Sequence, residues 1–371
     1  MKNVEWGTYK INELFTKLNL KLLNQNFVKD KDLSREKTSE FNLPLVNAKD
    51  GSNGIMYYAR ESDFESDTMS IDIVNDGAIS TGNVYSQPQK TGVLYNAYLI
   101  KPKLNRSIQT LHFYTTSIFK AIKHKYSYEN KAGWEKVKND EIWLPIQKNS
   151  IDFSYMHDSI MILENAYIEK IYNYLNTLEI NDTNLTINEK YALDTLSSKD
   201  FKEFKVTAIF TIKNTGNILS SWIKENSGTT PYLCASAANN SVSSYIQYDE
   251  DYLDNGNCVF IGGKTFVVTY QKDDFFSNDS HNLTLKLKEE EHRNKICQLF
   301  LATCVKNSLG HKYSWGDSIS SSKIKKDSIS LPVKDDQPDY EFMENYISAI
   351  QKLTVKKLIS YLTEKKSKLA S

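Results

Sequence analysis

His124-Lys125-Tyr126-Ser127 recurs later in the chain as His311-Lys312-Tyr313-Ser314, with residue numbers offset by 187. The same offset aligns Leu144-Pro145 with Leu331-Pro332 without a gap. Over the 63 ungapped positions around these stretches there are 18 identities. Chance would give about three or four at average residue frequencies. A period this long is the size of a domain with an appendage, so the sequence predicts that one whole module is present twice.

Composition places the chain among folded globular proteins and limits its partners. The 371 residues allow two or three domains, with 40% hydrophobic and 25% charged content. The 46 basic residues equal the 46 acidic residues, which excludes a uniformly basic coat for nucleic acid and leaves only local patches. Neither a run of about 18 apolar residues nor a signal-peptide core is found. With four cysteines and no CxxC pair, we expect a cytoplasmic protein with reduced cysteines and no membrane segment.

Both modules have the same predicted order of elements. Strands are predicted where β-branched residues alternate with polar ones, at residues 72–80, 93–100, 258–261, 265–270 and 282–288. Helices are predicted at 108–123 and 295–307, each followed by a polar loop, a short strand ending in Leu-Pro and a long helix. The pattern predicts a mixed α/β (α+β) fold. Its predicted parts are a first domain at 1–153, a long helix at 154–180, a linker at 181–200, a second domain at 201–338 and a long helix at 339–371.

The first long helix carries an apolar stripe with spacings of three and four residues, which keep the stripe on one helix face, and the second has apolar residues at the aligned positions. The stripe of the first helix contains Met156, Ile160, Leu163, Tyr167, Ile171, Tyr174 and Leu178, and that of the second contains Met343, Ile347, Ile350, Leu358, Tyr361 and Leu362. We therefore predict that the two helices pair with each other. Packing of each helix on its own module is the alternative.

Motifs for catalysis are not found. Gly262-Gly263-Lys264-Thr265 lacks the earlier glycine of a phosphate loop and precedes a predicted strand, so it predicts a β-hairpin turn. Neither His124 nor His311 has an acid, a cysteine or a second histidine at ligand spacing, which favours a structural or phosphate-facing role. Cys297 and Cys304 lie seven apart on a predicted helix and are expected in its core. No catalytic group and no metal site is predicted.

Lysine-rich patches interleaved with aromatic residues occur at the same place in both modules. Residues 120–138 and 305–326 each have a local charge balance of plus four. A second repeated turn is rich in Asn and Ser, and Asn can pair bidentately with adenine. Such lysines can neutralise phosphates while the polar side chains reach base edges. The candidate DNA-contacting residues are Lys49, Ser52, Asn53, Lys123, Lys125, Tyr128, Lys131, Ser236, Asn239, Asn240, Ser241, Lys264, Lys312, Trp315 and Lys323.

Three interpretations of the duplicated modules remain open at this point. The favoured one is a non-catalytic DNA-reading subunit, in which changing the lysines weakens binding broadly while changing Asn53 or Asn240 alters the preference at one half-site. The second is an enzyme of unrecognised type. The third is a pseudo-symmetric protein-binding scaffold, whose lysine patches are only solvated surface.

The architecture resembles the DNA-specificity (S) subunits of type I restriction-modification systems, and the S subunits of type IIB systems are similar. The resemblance is carried by the repeated Leu-Pro-then-helix junctions and by an N-terminal pattern consisting of Trp6, Lys10, Ile11, Leu14 and Phe15. It implies that each module is a target-recognition domain for one half of a split site on double-stranded DNA. It further implies that the long helices form an antiparallel coiled coil, a spacer that docks methyltransferase (modification) subunits, with or without restriction subunits. S-adenosylmethionine would then be bound by a partner, and this chain would hold no cofactor.

Overall fold

The computed structural model describes residues 4–104, 106–178, 180 and 182–370, with side chains given as far as residue 367. The chain divides into two compact units, Met1–Tyr174 with Lys366–Ser371, and Leu175–Lys365. The predicted domain limits at residues 1, 181 and 371 lie outside the described residues.

The first unit begins with strands and ends in a long helix. Its strands are β1 Glu5–Lys10, β2 Phe15–Lys17, β3 Leu43–Val46, β4 Ile55–Ala59, β5 Ser70–Val74, β6 Val84–Gln87, β7 Gly92–Val93, β8 Ala97–Pro102, β9 Glu141–Gln147 and β10 Ser150–Ile151. Its helices are α1 Ile11–Leu14, α2 Lys29–Asp32, α3 Ile108–Ile122, α4 Trp134–Val137 and α5 Phe153–Asn176. The strand predicted at 72–80 was too long, because β5 ends at Val74 and a turn around Gly77 follows.

Within the described residues, the strands of the first unit form three sheets. Their strand orders are β1-β9-β10, β2-β8-β5-β6 and β4-β3-β7. The first two are antiparallel, whereas β3 pairs antiparallel with β4 and parallel with β7, with an irregularity between Leu45 and Val46. The main core lies between the four-stranded sheet and α3, where Ile71, Ile73 and Ile118 are fully buried.

The second unit repeats this plan strand by strand. Its strands are β11 Phe201–Lys205, β12 Phe210–Asn214, β13 Thr230–Leu233, β14 Val242–Ile246, β15 Cys258–Ile261, β16 Val268–Gln271, β17 Phe276–Ser277, β18 Leu283–Leu287, β19 Ser328–Lys334 and β20 Gln337–Pro338. Its helices are α6 Ile187–Thr195, α7 Val206–Ile209, α8 Lys295–Leu309, α9 Ser321–Ile324 and α10 Tyr340–Ala370. The sheet orders β11-β19-β20, β12-β18-β15-β16 and β14-β13-β17 match those of the first unit, and β13 has the same irregularity between Tyr232 and Leu233. The duplication seen in the sequence is therefore a duplication of fold.

The glycine-lysine stretch that resembles a phosphate loop is a hairpin connection, as predicted. It joins β15 to β16, which pair antiparallel with Ile261 opposite Val268. A Cβ at Gly263 would lie 2.3 Å from the carbonyl oxygen of His281, so this turn requires glycine because of the close backbone approach.

The repeated Leu-Pro pairs anchor the long helices. The carbonyl oxygen of Pro145 accepts a hydrogen bond from the Asp152 N–H at 2.8 Å, and the Asp152 carboxylate accepts from the Tyr155 N–H at 2.9 Å. The same arrangement holds α10, where Pro332 and Asp339 take these roles. An aspartate that accepts from the third residue of a helix caps its first turn, so the repeated identities fix where each long helix begins.

The segment predicted as a linker contains helix α6, which packs on α10 within the second unit. Its start is a capping box of Thr186 and Glu189. Glu189 is buried and accepts hydrogen bonds from Ser348 at 2.6 Å and Lys352 at 2.9 Å. Burial works against ionisation of Glu189, but these bonds outweigh it and lower its pKa to about 2.

The charged loop at 24–41 folds back on one arginine. Arg60 donates to the carboxylates of Asp32 at 2.8 Å and Glu40 at 2.7 Å, and its guanidinium lies 4.6 Å from the centre of the Phe41 ring. Phe27 and Leu33 of the loop pack on a small core at β3. Arg60 thus pairs with two of the acidic residues of this loop.

The predicted pairing stripes are only partly buried. Met156 and Met343 are fully buried in the cores of their own units, whereas Leu163, Tyr167 and Tyr174 are more than half exposed. Ile350 and Tyr361 are also exposed, while Ile160, Ile171, Ile347 and Leu358 are half-buried. Leu178 lies beyond the end of α5. Pairing of the two helices stays a prediction.

Candidate nucleic-acid interface

The repeated His-Lys-Tyr-Ser tetrapeptide binds a repeated aspartate. In the first unit Lys125 and the Tyr126 hydroxyl donate to the Asp140 carboxylate at 2.8 and 2.7 Å. In the second unit Lys312 and Tyr313 make the same bonds to Asp327. Burial and the neighbouring carboxylate raise the pKa of both tyrosines, so each remains a neutral donor. The repeated lysine and tyrosine therefore bind the aspartate that directly precedes β9 in the first unit and β19 in the second.

Lys123, Lys131, Lys264 and Lys323 also have partners. Lys123 donates to the carbonyl oxygens of Ile79 and Thr81, and burial lowers its pKa. The remaining ion pairs are Lys131 with Asp76, Lys264 with Asp279 and Lys323 with Asp317. Exposed ion pairs of this kind contribute only about 0 to 1 kcal/mol each, so a phosphate can replace the carboxylate at little cost. Positive charge is available at these places, although it is not free in the isolated chain.

The two Asn-bearing turns have the same internal frame. Asn53 has φ +53° and donates its side-chain amide to the Ser86 carbonyl oxygen at 2.8 Å, while Gln87 donates to the Asn53 carbonyl oxygen at 2.7 Å. Asn240 has φ +52° and donates to the Tyr270 carbonyl oxygen at 3.0 Å. Gln271 donates to the Asn240 carbonyl oxygen at 2.9 Å. Asn tolerates the left-handed region, so these residues shape the turn.

The polar residues of the two turns differ in exposure. Ser52 and Asn239 are exposed at the tips, and Lys49 and Ser236 are half-buried. Ser241 is fully buried and donates to the Ser236 carbonyl oxygen at 3.0 Å. A fully buried hydroxyl cannot reach a base, so we correct the prediction for Ser241 and leave it out of the proposed contacts.

Gln87 and Gln271 were not identified from the sequence as residues that support the two Asn turns. Both are buried and both fix an Asn turn, but the offset between them is smaller by three than the offset of the main repeat. An ungapped comparison at the main offset cannot align them. Allowing a gap in the loop between β5 and β6 would have paired these glutamines.

One buried carboxyl has no counterpart in the second unit. Asp72 is fully buried on β5, and neither of its carboxylate oxygens has a hydrogen-bond partner among the described residues. Burial raises its pKa well above the ordinary value, which favours the neutral acid. The pairing of β5 with β8 and of β15 with β18 shows that Phe260 of β15 is the equivalent of Asp72.

The described residues contain no group of three or more histidine, cysteine or acidic side chains that could hold a metal ion. Cys258, Cys297 and Cys304 are buried free thiols, and burial raises the pKa of Cys258 and Cys304 to about 12. The expectation that Cys297 and Cys304 are core residues is confirmed. In the part of the chain that the structure describes, no helix has the length and apolar character needed to cross a membrane.

Comparison with known proteins shows similarity to restriction-modification specificity proteins. Residues 198–361 match the model of the type I restriction modification DNA specificity domain. The specificity subunit S.BcgI of a type II restriction enzyme from Heyndrickxia coagulans is 26% identical over 376 residues, covering 98% of each chain. The matched residues lie in the second unit, which is therefore similar to a restriction-modification DNA specificity domain. Over its whole length the chain is similar to a restriction-modification specificity subunit, so the resemblance suggested by its repeated junctions is confirmed.

A solved structure has the same fold as this chain. The S subunit of a type I restriction-modification system from M. genitalium has a TM-score of 0.55 and 14% sequence identity. The match covers 100% of this chain and 96% of that chain. The mixed α/β fold of the duplicated modules is therefore shared with a specificity subunit of known structure.

Proposed function

We propose that this chain is a specificity subunit that reads a split site on double-stranded DNA, with one half-site recognised by each unit. The observation that carries the proposal is the repetition of the same two surface features, an Asn turn and a lysine-bordered loop, in two units of one fold. Two similar but non-identical reading surfaces suit two half-sites of different sequence. Phosphate contacts position such a protein, and contacts with base edges specify the sequence.

Within each Asn turn we assign one role to the Asn that holds the backbone, which we call the frame, and another to the four preceding residues, which we call the tip. Asn53 and Asn240 hold the backbone, because their amides are bonded to the neighbouring strand. The tip residues at 49–52 and 236–239 differ between the units and are proposed to face the bases. Variation at the tips over a constant frame would allow each unit to read a different half-site.

The long helices are proposed to pair as an antiparallel spacer and to dock modification subunits. Exposed apolar side chains on α5, including Leu163, Tyr167 and Tyr174, support this because a row of exposed apolar residues along one helix marks an interaction surface. The modification subunits would bind S-adenosylmethionine and transfer its methyl group. This chain would then position the DNA and catalyse no step itself, in a type I or a type IIB complex.

A genome-wide map of methylated bases tests the proposal. The map is recorded in the source cell with the gene intact, with the gene deleted and with the gene restored from a plasmid. We expect methylation at one split motif to disappear on deletion and to return on restoration. An unchanged map, in cells shown to contain this protein and active methyltransferase subunits, would contradict DNA reading and favour a protein-binding scaffold.

A further inference from the structure

Each unit carries a tight turn with an aromatic residue at its tip. The Ser127 N–H donates to the Asn130 carbonyl oxygen at 3.0 Å, and the Ser314 N–H donates to the Asp317 carbonyl oxygen at 3.2 Å. Both turns enclose two tip residues, and the first of these is aromatic. The turns occupy the same place in the repeat, shortly after the Tyr that binds the repeated aspartate, so the tips are carried by equivalent supports.

A lysine from the next short helix fixes each turn. Lys136 of α4 donates to the Asn130 side-chain oxygen at 2.8 Å, and Lys323 of α9 donates to the Asp317 carboxylate. The two lysines are equivalent in the main repeat, as are the residues they bind. Asn130 also donates to the Lys125 carbonyl oxygen at 3.0 Å. These bonds give the tip a defined direction.

The aromatic tips are Tyr128 and Trp315, which are 64% and 74% exposed. Large aromatic side chains are mostly buried in folded proteins, and their enrichment at binding surfaces reflects contact with a partner. An aromatic residue stands at this position in both units although most of the 63 aligned positions differ. Packing within the unit does not explain this exposure, which therefore indicates contact with a ligand.

The surroundings favour nucleic acid over protein as that ligand. Lys131 and Lys136 lie close in sequence to Tyr128, and Lys312 and Lys323 flank Trp315. Lysine is depleted in the cores of protein interfaces, whereas it is the usual partner of DNA phosphates. Aromatic rings stack on bases of any sequence, and apolar side chains also enter base steps of duplex DNA.

We propose that Tyr128 and Trp315 are equivalent DNA contacts, one for each half-site, whose rings pack against bases. Lys136 and Lys323 are positioning residues that hold the turn. The inference rests on the proposed function and adds the residues through which each unit grips its half-site.

The test uses the full chain and a pool of random duplexes, from which the bound sequences are recovered. The recovered duplex is then used to measure the dissociation constants of Tyr128→Ala and Trp315→Ala, with Tyr128→Phe and Trp315→Phe as ring-retaining variants. Tyr191→Ala, which removes another exposed tyrosine on α6, is the matched control. We expect each tip Ala variant to bind about tenfold more weakly, the Phe variants to stay within about threefold, and the control to be unchanged.

Fluorescence distinguishes contact from support. Stacking of a base on Trp315 quenches its emission, so DNA should quench the wild-type chain more than Trp315→Phe at equal saturation.

Lys136→Met should weaken binding several-fold without changing the recovered sequence, and Lys136→Arg should restore the affinity.

The outcomes separate this inference from the proposed function. If the full chain recovers no sequence from the pool, both are overturned. If it recovers a split site but the Ala variants bind it within twofold of wild type, only the tip assignment is overturned. Retained DNA affinity with loss of bound methyltransferase subunits would also overturn it, because the tips would then face protein.

Discussion

In each unit an aromatic ring lies between two other aromatic rings, and the two units supply this ring from different elements. In the first unit Trp6 of β1 lies between Phe113 and Tyr155, with ring centres 6.4 and 6.5 Å away. In the second unit Tyr346 of α10 lies between Phe300 and Phe342, at 5.7 and 6.5 Å. The flanking rings are repeat equivalents, but the inserted ring is not.

The consequence is a groove in the first unit. Ser159 stands where the second unit has Tyr346, and it lines an open space of about 600 Å³ together with Trp6, Trp143 and Leu163. The two units therefore share the contacts that hold their backbones, whereas the side chains that fill the space between elements differ. The Lys and Tyr bonds to the repeated aspartate, the Asn-turn frames and the Pro-Asp helix anchors are the same in both units, whereas buried side chains such as Asp72 and Phe260 are not.

The largest expected effect is at the buried acid of α6 in the second unit. Replacing Glu189 with Gln removes a carboxyl group whose pKa is lowered to about 2 from its ordinary value of 4.5. We expect a loss of about 3 kcal/mol of unfolding free energy at pH 7, measured by urea denaturation. The folded pKa lies below the unfolded one, so this stability is present above about pH 4.5 and is lost as pH falls towards 2.

The exposed acid of the same helix supplies the control for this change. Asp194→Asn should alter stability by less than about 0.5 kcal/mol. Equal effects of Glu189→Gln and Asp194→Asn would show that the contacts of Glu189 with Ser348 and Lys352 contribute nothing specific.

A smaller effect of opposite sign is expected at Asp72 in the first unit. Its folded pKa is raised by burial, so the wild-type chain loses stability as pH rises from the ordinary carboxyl pKa upward. Asp72→Asn cannot ionise, and we expect it to be more stable than wild type by about 1 to 3 kcal/mol at pH 7. The advantage should shrink as pH falls towards 4. A constant difference at all pH values would contradict the burial of an ionisable group, and Asp30→Asn on the exposed helix α2 is the control.

The smallest expected effect is at Asn53, where two substitutions distinguish a structural role in the turn from a role in base recognition. Asn53→Ala loses the bond to Ser86 and places a Cβ residue at φ +53°, whereas Asn53→Gly loses only the bond. We expect Ala to be about 1 kcal/mol less stable than Gly in thermal unfolding, because only Gly adopts this region freely. Equal stability with a changed base preference in both variants would instead favour the base-reading role that the sequence predicts for this side chain.

Much of the fold could be predicted because it is periodic. The long repeat, helices α3 and α8, and the hairpin after Ile261 were correctly located from the sequence. Helix α6 was missed because its apolar pattern is weak, although Thr186 and Glu189 form a capping-box spacing that could have revealed it.

The candidate site was less predictable because its bonds join distant parts of the chain. Lys131 pairs with Asp76 and Lys123 with Thr81, each far away in sequence, so local charge balance overstated the free positive charge. The φ angle of Asn53 and the anchor from Gln87 likewise arise only when β6 is placed beside the turn. Sequence alone located the turns but could not assign their side chains.

A four-residue exchange tests independent reading of the half-sites most directly. Residues 49–52 at the first tip are replaced by Ser-Ala-Ala-Asn, the residues at 236–239, while the Asn53 frame is kept. The methylated motif is then mapped in cells that express the wild-type or exchanged chain with its modification subunits. We expect one half of the split motif to change while the other half and the spacing stay the same. A change in both halves, or an unchanged motif at full methylation, would contradict the assignment of one half-site to each unit.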